Sequence, residues 1–168
     1  KADFAKTDAY AIYQKLVAKY DSFDLEKGEI TVANTVYTGE AQQVAVTVKD
    51  AAGNTVAASM YKVTYRDNTD VGTATVRVKG DDVNYTGTKS ATFEITAASL
   101  EDATVSGITT KTYTGKAMTQ AGLKVALNGV LIGEENYTVA YKNNAKVGKA
   151  SVTITGTKNC TGTITKTF

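Results

Sequence analysis

Chemistry in this chain would have to come from one thiol, seventeen carboxylates and ten phenols, because there is no His at all and Cys160 is the sole cysteine. Without His, neither a Ser-His-Asp nor a Cys-His nucleophile can be assembled, nor a His-containing zinc site. A single Cys excludes an intrachain disulfide, a Cys-rich zinc site and a CxxC redox pair. The adjacent carboxylates Glu101-Asp102 and Glu134-Glu135 would point to opposite faces if they lay on strands. Glycoside hydrolysis needs two carboxyl groups facing one cleft. The chain is therefore read as a non-enzyme, with no catalytic residues.

A metal reading fares little better. Asp67, Asp70, Asp81 and Asp82 offer the hard oxygen ligands that calcium takes. A second copy of the same sequence places Asn143, Lys146, Thr157 and Lys158 at the matching positions. Lysine repels a cation, so the four aspartates read as solvated loop residues, with no metal and no cofactor expected.

Binding chemistry has one candidate motif, Tyr-Thr-Gly at 37–39 and again at 113–115. Tyr37 and Tyr113 could present flat aromatic platforms to sugar rings. The alternative is a turn in which Gly39 or Gly115 takes a conformation other residues resist, with the tyrosine in the core. Recurrence in both copies favours the turn, since a binding site seldom needs every repeat. Cys160 stands where the first copy has Tyr85 and reads as a small, half-buried thiol. Lys89 and Lys166 alternate with apolar neighbours as exposed residues do, which argues against buried Lys–Asn crosslinks. Asn84, Asn136 and Asn159 begin Asn-x-Thr sequons and read as turn residues. Binding residues stay unassigned.

These residues must be carried by strands. Thr is about one residue in six and there are ten Tyr, both β-favouring. Hydrophobic residues at 42% and charged residues at 21% fit a globular domain, and the net charge of +2 gives no field suited to nucleic acid or an anionic membrane. No apolar run approaches the roughly 20 residues needed to cross a bilayer.

The chain repeats itself. Val36-Tyr37-Thr38-Gly39-Glu40-Ala41 returns as Thr112-Tyr113-Thr114-Gly115-Lys116-Ala117, an offset of 113 − 37 = 76. Tyr61–Tyr65 returns as Tyr137–Tyr141, and Val71–Ala74 as Val147–Ala150. Asn84–Gly87 returns as Asn159–Gly162, where the offset is 160 − 85 = 75. The period within each copy is two: Val44, Val46 and Val48; Tyr61, Val63 and Tyr65; Ala74, Val76 and Val78; Leu123, Val125 and Leu127; Val152 and Ile154. Such alternation marks strands with one buried face. Gly53-Asn54, Asn128-Gly129, Asp67-Asn68, Asn143-Asn144 and Gly80-Asp81-Asp82 read as turns, Asn-Gly being the strongest hairpin signal.

Residues 1 to about 20 depart from this pattern. Phe4, Ala9, Ile12, Tyr13, Leu16, Val17 and Tyr20 recur at three and four, the stripe of an amphipathic helix, with Asp3 as a start signal and Asp21-Ser22 as a stop. The stripe is expected either to pack on the first β module or to belong to a domain preceding Lys1. The chain opens on Lys1 rather than Met and reads as a processed or cropped piece, and its last strand is expected to be clipped by a residue or two.

The order Tyr-Thr-Gly-Lys-Ala, Tyr-Thr-Val-x-Tyr-Lys-Asn-Asn, Val-Gly-x-Ala-x-Val-Thr-Ile-Thr-Gly and Asn-x-Thr-Gly-Thr-Ile-Thr-Lys-Thr-Phe, carried by 113–117, 137–144, 147–156 and 159–168, resembles tandem Ig-like repeats of Gram-positive bacterial surface proteins. Positions 37–41, 61–68, 71–80 and 84–95 carry a looser copy. Cys160 departs from the repeat's Tyr, and Gln42-Gln43 and Thr119-Gln120 stand where such repeats often carry Pro. The resemblance implies an extracellular, cell-surface or cell-wall-associated, non-catalytic module, and names no ligand.

The expected architecture is all-β: a helix and connector over 1–24, then two small Ig-like β-sandwich modules over 25–98 and 99–168, with a β-grasp-like variant as the alternative. The short junction at Ala97–Leu100 implies a semi-rigid rod. Three functions follow as expectations: a structural spacer or stalk within a larger surface protein, an adhesin binding host glycan or mucin, and a self-assembling surface or filament subunit. Partners would be the other domains of that protein or a host glycan, with no nucleic acid and no membrane insertion within this segment.

Overall fold

Alternation in the sequence becomes alternation in burial. In the computed structural model, which describes residues 4–168, β5 (Gly72–Gly80) buries Ala74, Val76 and Val78 completely while Thr73, Arg77 and Lys79 face outward or lie half-exposed. The protein is mostly β with one N-terminal helix and several sheets. Two compact units divide it: the described part of Lys1–Ala33 with Gln43–Asp67 and Ala74–Phe93, and Asn34–Gln42 with Asn68–Thr73 and Glu94–Phe168.

In the first unit β1 (Glu29–Val32) pairs antiparallel with β3 (Val46–Lys49), and β4 (Tyr61–Arg66) with β5. Leu25, Val48, Val56 and Val78 form the core, with Ile30, Met60, Val63 and Tyr85 packed against it. Phe93, on β6 (Thr88–Thr96), meets Tyr65 edge-on at 6.4 Å between ring centroids.

The second unit begins with β2 (Thr35–Val36), parallel to the Ile95–Thr96 end of β6. β7 (Ala98–Ser99) pairs parallel with β13 (Cys160–Thr161). One antiparallel sheet has the order β10 (Val130–Leu131), β9 (Lys124–Leu127), β8 (Thr104–Ser106). The other is β11 (Tyr137–Lys142), β12 (Ser151–Gly156), β14 (Thr163–Thr167). Leu100, Val125, Val152 and Ile154 are buried at its centre. Tyr141 and Phe168 meet edge-on at 6.1 Å, the counterpart of Tyr65 and Phe93.

Turns fall where Gly, Asn and Asp were read as turn residues. Asp67, Asp82, Asn128 and Asn143 adopt left-handed φ between 47° and 62°, a region in which Asn and Asp are tolerated. Asn128-Gly129 closes the β9–β10 hairpin, with both residues at positive φ, as a two-residue primed turn requires. Close approach fixes two further glycines. A Cβ on Gly80 would run into the Tyr85 carbonyl, and one on Gly156 would lie 2.7 Å from the Cys160 carbonyl.

Helix α1 spans Phe4–Ser22. Asp3 and the side chain of Phe4 lie outside the described residues. Every side chain from Asp8 to Tyr20 is exposed, including Ile12 at 66% and Tyr20 at 71%. The expected packing of the stripe on the first β module is therefore not found. The core there takes Leu25, 1% exposed and three residues past the helix, and none of the helix side chains from Asp8 to Tyr20. No helix among the described residues is long and apolar enough to cross a membrane.

Candidate functional site

Four sets of contacts are built twice. Gln42 N–H donates to the Asn68 carbonyl at 2.7 Å while Asn68 Nδ2 donates back to the Gln42 carbonyl at 2.7 Å; Met118 and Asn144 repeat both bonds at 2.8 Å. Tyr65 Oη donates to the Val44 carbonyl at 2.7 Å, and Tyr141 Oη accepts from Gln120 N–H at 3.0 Å, so each tyrosine ties down the same point of its repeat. Gly80 N–H reaches the Gly87 carbonyl at 3.1 Å, and Gly156 the Gly162 carbonyl at 2.9 Å. Leu25 N–H reaches the Thr86 carbonyl at 3.0 Å as Leu100 N–H reaches that of Thr161 at 2.8 Å.

Within the second unit a buried polar cluster adds to this set. Asn136 is fully buried and Asn159 is 6% exposed. Asn159 Nδ2 donates to Asn136 Oδ1 at 2.9 Å and to Asp70 Oδ1 at 2.8 Å, while its Oδ1 accepts from Val71 N–H at 2.7 Å. Asn136 Nδ2 is shared among Tyr37 Oη, the Gly133 carbonyl and Glu135 Oε1 at 3.2–3.3 Å. No buried side-chain N or O among the described residues lacks a partner, as burial of amides demands. Asn136 and Asn159 are thus not simple turn residues. The signal was a difference between the copies: Asn136 stands where the first has Met60.

The two Tyr-Thr-Gly motifs share a backbone and differ in surroundings. Gly39 and Gly115 have φ of 91° and 84°, which fits the turn. Tyr37 is buried at 6%, whereas Tyr113 is exposed at 41%, outside the core placement that goes with that turn. Burial pushes the Tyr37 phenol above its ordinary value of 10.0, helped by the nearby Cys160, Asp70 and Glu135 and opposed by a hydrogen bond with Asn159. Tyr113 instead borders an open pocket of about 400 Å³ with Met118, Lys146, Val147 and Phe168.

Cys160 is 3% exposed, fully rather than half-buried, because its small side chain sits inward on β13. Burial pushes the thiol above 9.0, away from the thiolate that reacts. The carboxylates disperse. Asp81 accepts from the Asn84 side chain and from the Tyr85, Asn84 and Val83 N–H groups, which hold its carboxyl well below the usual range. Asp82 pairs with Lys79 at 2.7 Å. Asp50 is raised by burial, but bonds from Asn54, Ala52 and Tyr85 outweigh this and hold it low. Among the described residues no group of three or more acidic or Cys side chains is placed to hold a metal. Glu134 and Glu135 lie on a 3-10 turn, not a strand, and Glu101 and Asp102 lie in a turn; local chain reversal there overrides strand alternation. Lys89 is half-buried rather than exposed, its Nζ donating to the Glu26 carbonyl at 2.8 Å, and Lys166 is exposed.

No known family, curated protein or solved structure matches the chain.

Proposed function

We propose that this chain is a non-catalytic segment of a bacterial surface protein, an extracellular structural spacer built from Ig-like repeats. The reading rests on the sequence resemblance and on one structural observation: the loop asparagines Asn68 and Asn144 and the tyrosines Tyr65 and Tyr141, which recur between the copies, hold backbone. The Gln42–Asn68 and Met118–Asn144 clamps are the plainest case, each closed by two bonds of 2.7–2.8 Å. A repeat that invests such groups in its own loops is specified for shape.

The glycan-binding alternative has one feature in its favour, the exposed Tyr113 beside an open pocket. A screen of the folded chain against host glycans and mucin separates the two. The spacer reading predicts no binding. Binding abolished by Tyr113→Ala in a protein of unchanged circular dichroism would overturn it and place the site.

A further inference from the structure

Two segments drawn from the first repeat, Asn34–Gln42 and Asn68–Thr73, belong to the second compact unit. There they seat on the second repeat. Tyr37 is buried with its hydroxyl at Asn136, and the Gly39 Cα lies so close that a Cβ would stand 3.2 Å from Val130 Cγ1. Asp70 and Val71 both bond the Asn159 side chain, and the same shallow pocket is lined by Lys158 and Glu135. Asp70 therefore shares that pocket with the loop's cation.

The second repeat carries the same docking elements, exposed among the described residues. Tyr113, Gly115, Lys146 and Val147 are the counterparts of Tyr37, Gly39, Asp70 and Val71. Val147 is 82% exposed, Tyr113 41%, and no atom lies within 4 Å of a Cβ on Gly115. The receiving loop has a counterpart as well. Asp82 and Asn84 correspond to Lys158 and Asn159, with Asp82 at φ 62° and Lys158 at φ 50°. Beside them Val83 is 87% exposed.

The charges are exchanged between the two sets. In the seated pair the carboxylate is on the docking segment (Asp70) and the cation on the loop (Lys158). In the open pair the cation is on the docking segment (Lys146) and the carboxylate on the loop (Asp82). Each combination is complementary, and mixing them would set Lys146 against Lys158 or Asp70 against Asp82. Asp82 now pairs with Lys79 on the surface, with both side chains more than half exposed, a contact weak enough to be exchanged.

We infer that the Tyr113 and Lys146–Val147 face of one copy docks on the Asp82–Asn84 loop of a second copy of this chain, head to tail, as Tyr37 and Asp70–Val71 dock on Lys158–Asn159. Such a contact is heterologous, joining a face of one copy to a different face of the next, so a pair keeps one free face and one free loop for further copies. This goes beyond the spacer reading, which a monomer satisfies. A chain that does not associate leaves that reading untouched.

Sedimentation equilibrium of the full chain at low salt, up to about 1 mM where even millimolar affinities register, is the test. The weight-average mass should rise above 17.7 kDa with concentration. Lys146→Asp alone and Asp82→Lys alone should each weaken association about ten-fold or more, since like charges then face each other. An equimolar mixture of the two variants should associate again, because each supplies the charge the other lacks. Both positions are exposed, and circular dichroism verifies the fold. A wild-type mass that stays at the monomer value across the range overturns the inference, as does association that Lys146→Asp leaves unchanged or a mixture that fails to recover it.

Discussion

Tyr37-Thr38-Gly39 and Tyr113-Thr114-Gly115 have identical residues and matching glycine φ, yet one tyrosine is in the core and the other is on the surface. The motif therefore encodes a turn and not a burial state. What decides burial is the environment each turn meets: Tyr37 finds Asn136 and its Gly39 finds the side chains of Val130 and Ile132, while Tyr113 finds an open pocket. An aromatic residue at a repeated position is thus neither a ligand platform nor a core residue until its neighbours are known.

The contrast can be broken by substitution. Tyr37→Ala should cost about 3 kcal/mol, the range for deleting a buried aromatic, and Tyr113→Ala less than about 1 kcal/mol, as exposed positions do; urea midpoints of the two variants read the difference directly. Equal losses would erase the distinction.

Next in size is the buried amide pair. Asn136→Ala leaves Asn159 Nδ2 and Tyr37 Oη short of a partner, at about 2–3 kcal/mol for stranded buried polar groups. Asn84, the exposed counterpart of Asn159, bonds Asp81, and Asn84→Ala should cost below about 1 kcal/mol. Urea denaturation followed at 218 nm orders the two, and a reversed order would mean that the cluster is not a fastening.

Glycine contrasts sharpen the picture further. Gly156→Ala places a Cβ 2.7 Å from the Cys160 carbonyl and should destabilise by about 1–2 kcal/mol through forced backbone displacement. Gly122 has nothing within 4 Å and no left-handed φ, so Gly122→Ala should be neutral or stabilising by up to about 0.5 kcal/mol. Thermal midpoints of the two variants should move in opposite directions or differ clearly.

The smallest effect is alkaline. Cys160 and Tyr37 have folded pKa values raised above 9.0 and 10.0, so above those values the unfolded chain loses protons that the folded chain keeps. Stability is full below about pH 9 and falls as pH rises beyond it. Cys160→Ala should delay the onset from about pH 9 toward pH 10; an unchanged onset in urea titrations would show that the thiol is not buried in the folded state.

Much of the fold was legible. Alternation at Ala74, Val76 and Val78 and the Asn-Gly pair at 128–129 act through neighbours two residues apart, and short-range physics needs only a sequence to be read. The helix was legible as a helix but its exposure was not, because whether the stripe or Leu25 enters the core depends on packing across the chain. The buried pair Asn136–Asn159 was hidden for the same reason: an amide in a turn sequence looks solvated until a second amide, 23 residues away, removes it from water. Asn68 and Asn144 were visible as turn residues, whereas the reciprocal bonds they make span 26 residues.

Site-resolved nitration of the native chain with tetranitromethane, at low-micromolar protein and read by peptide mass spectrometry, tests the central contrast most directly. Tyr113 should react readily, alongside the exposed Tyr10 and Tyr20, while Tyr37 stays unmodified until the chain is unfolded. Equal reactivity of Tyr37 and Tyr113 in the folded protein would contradict the account.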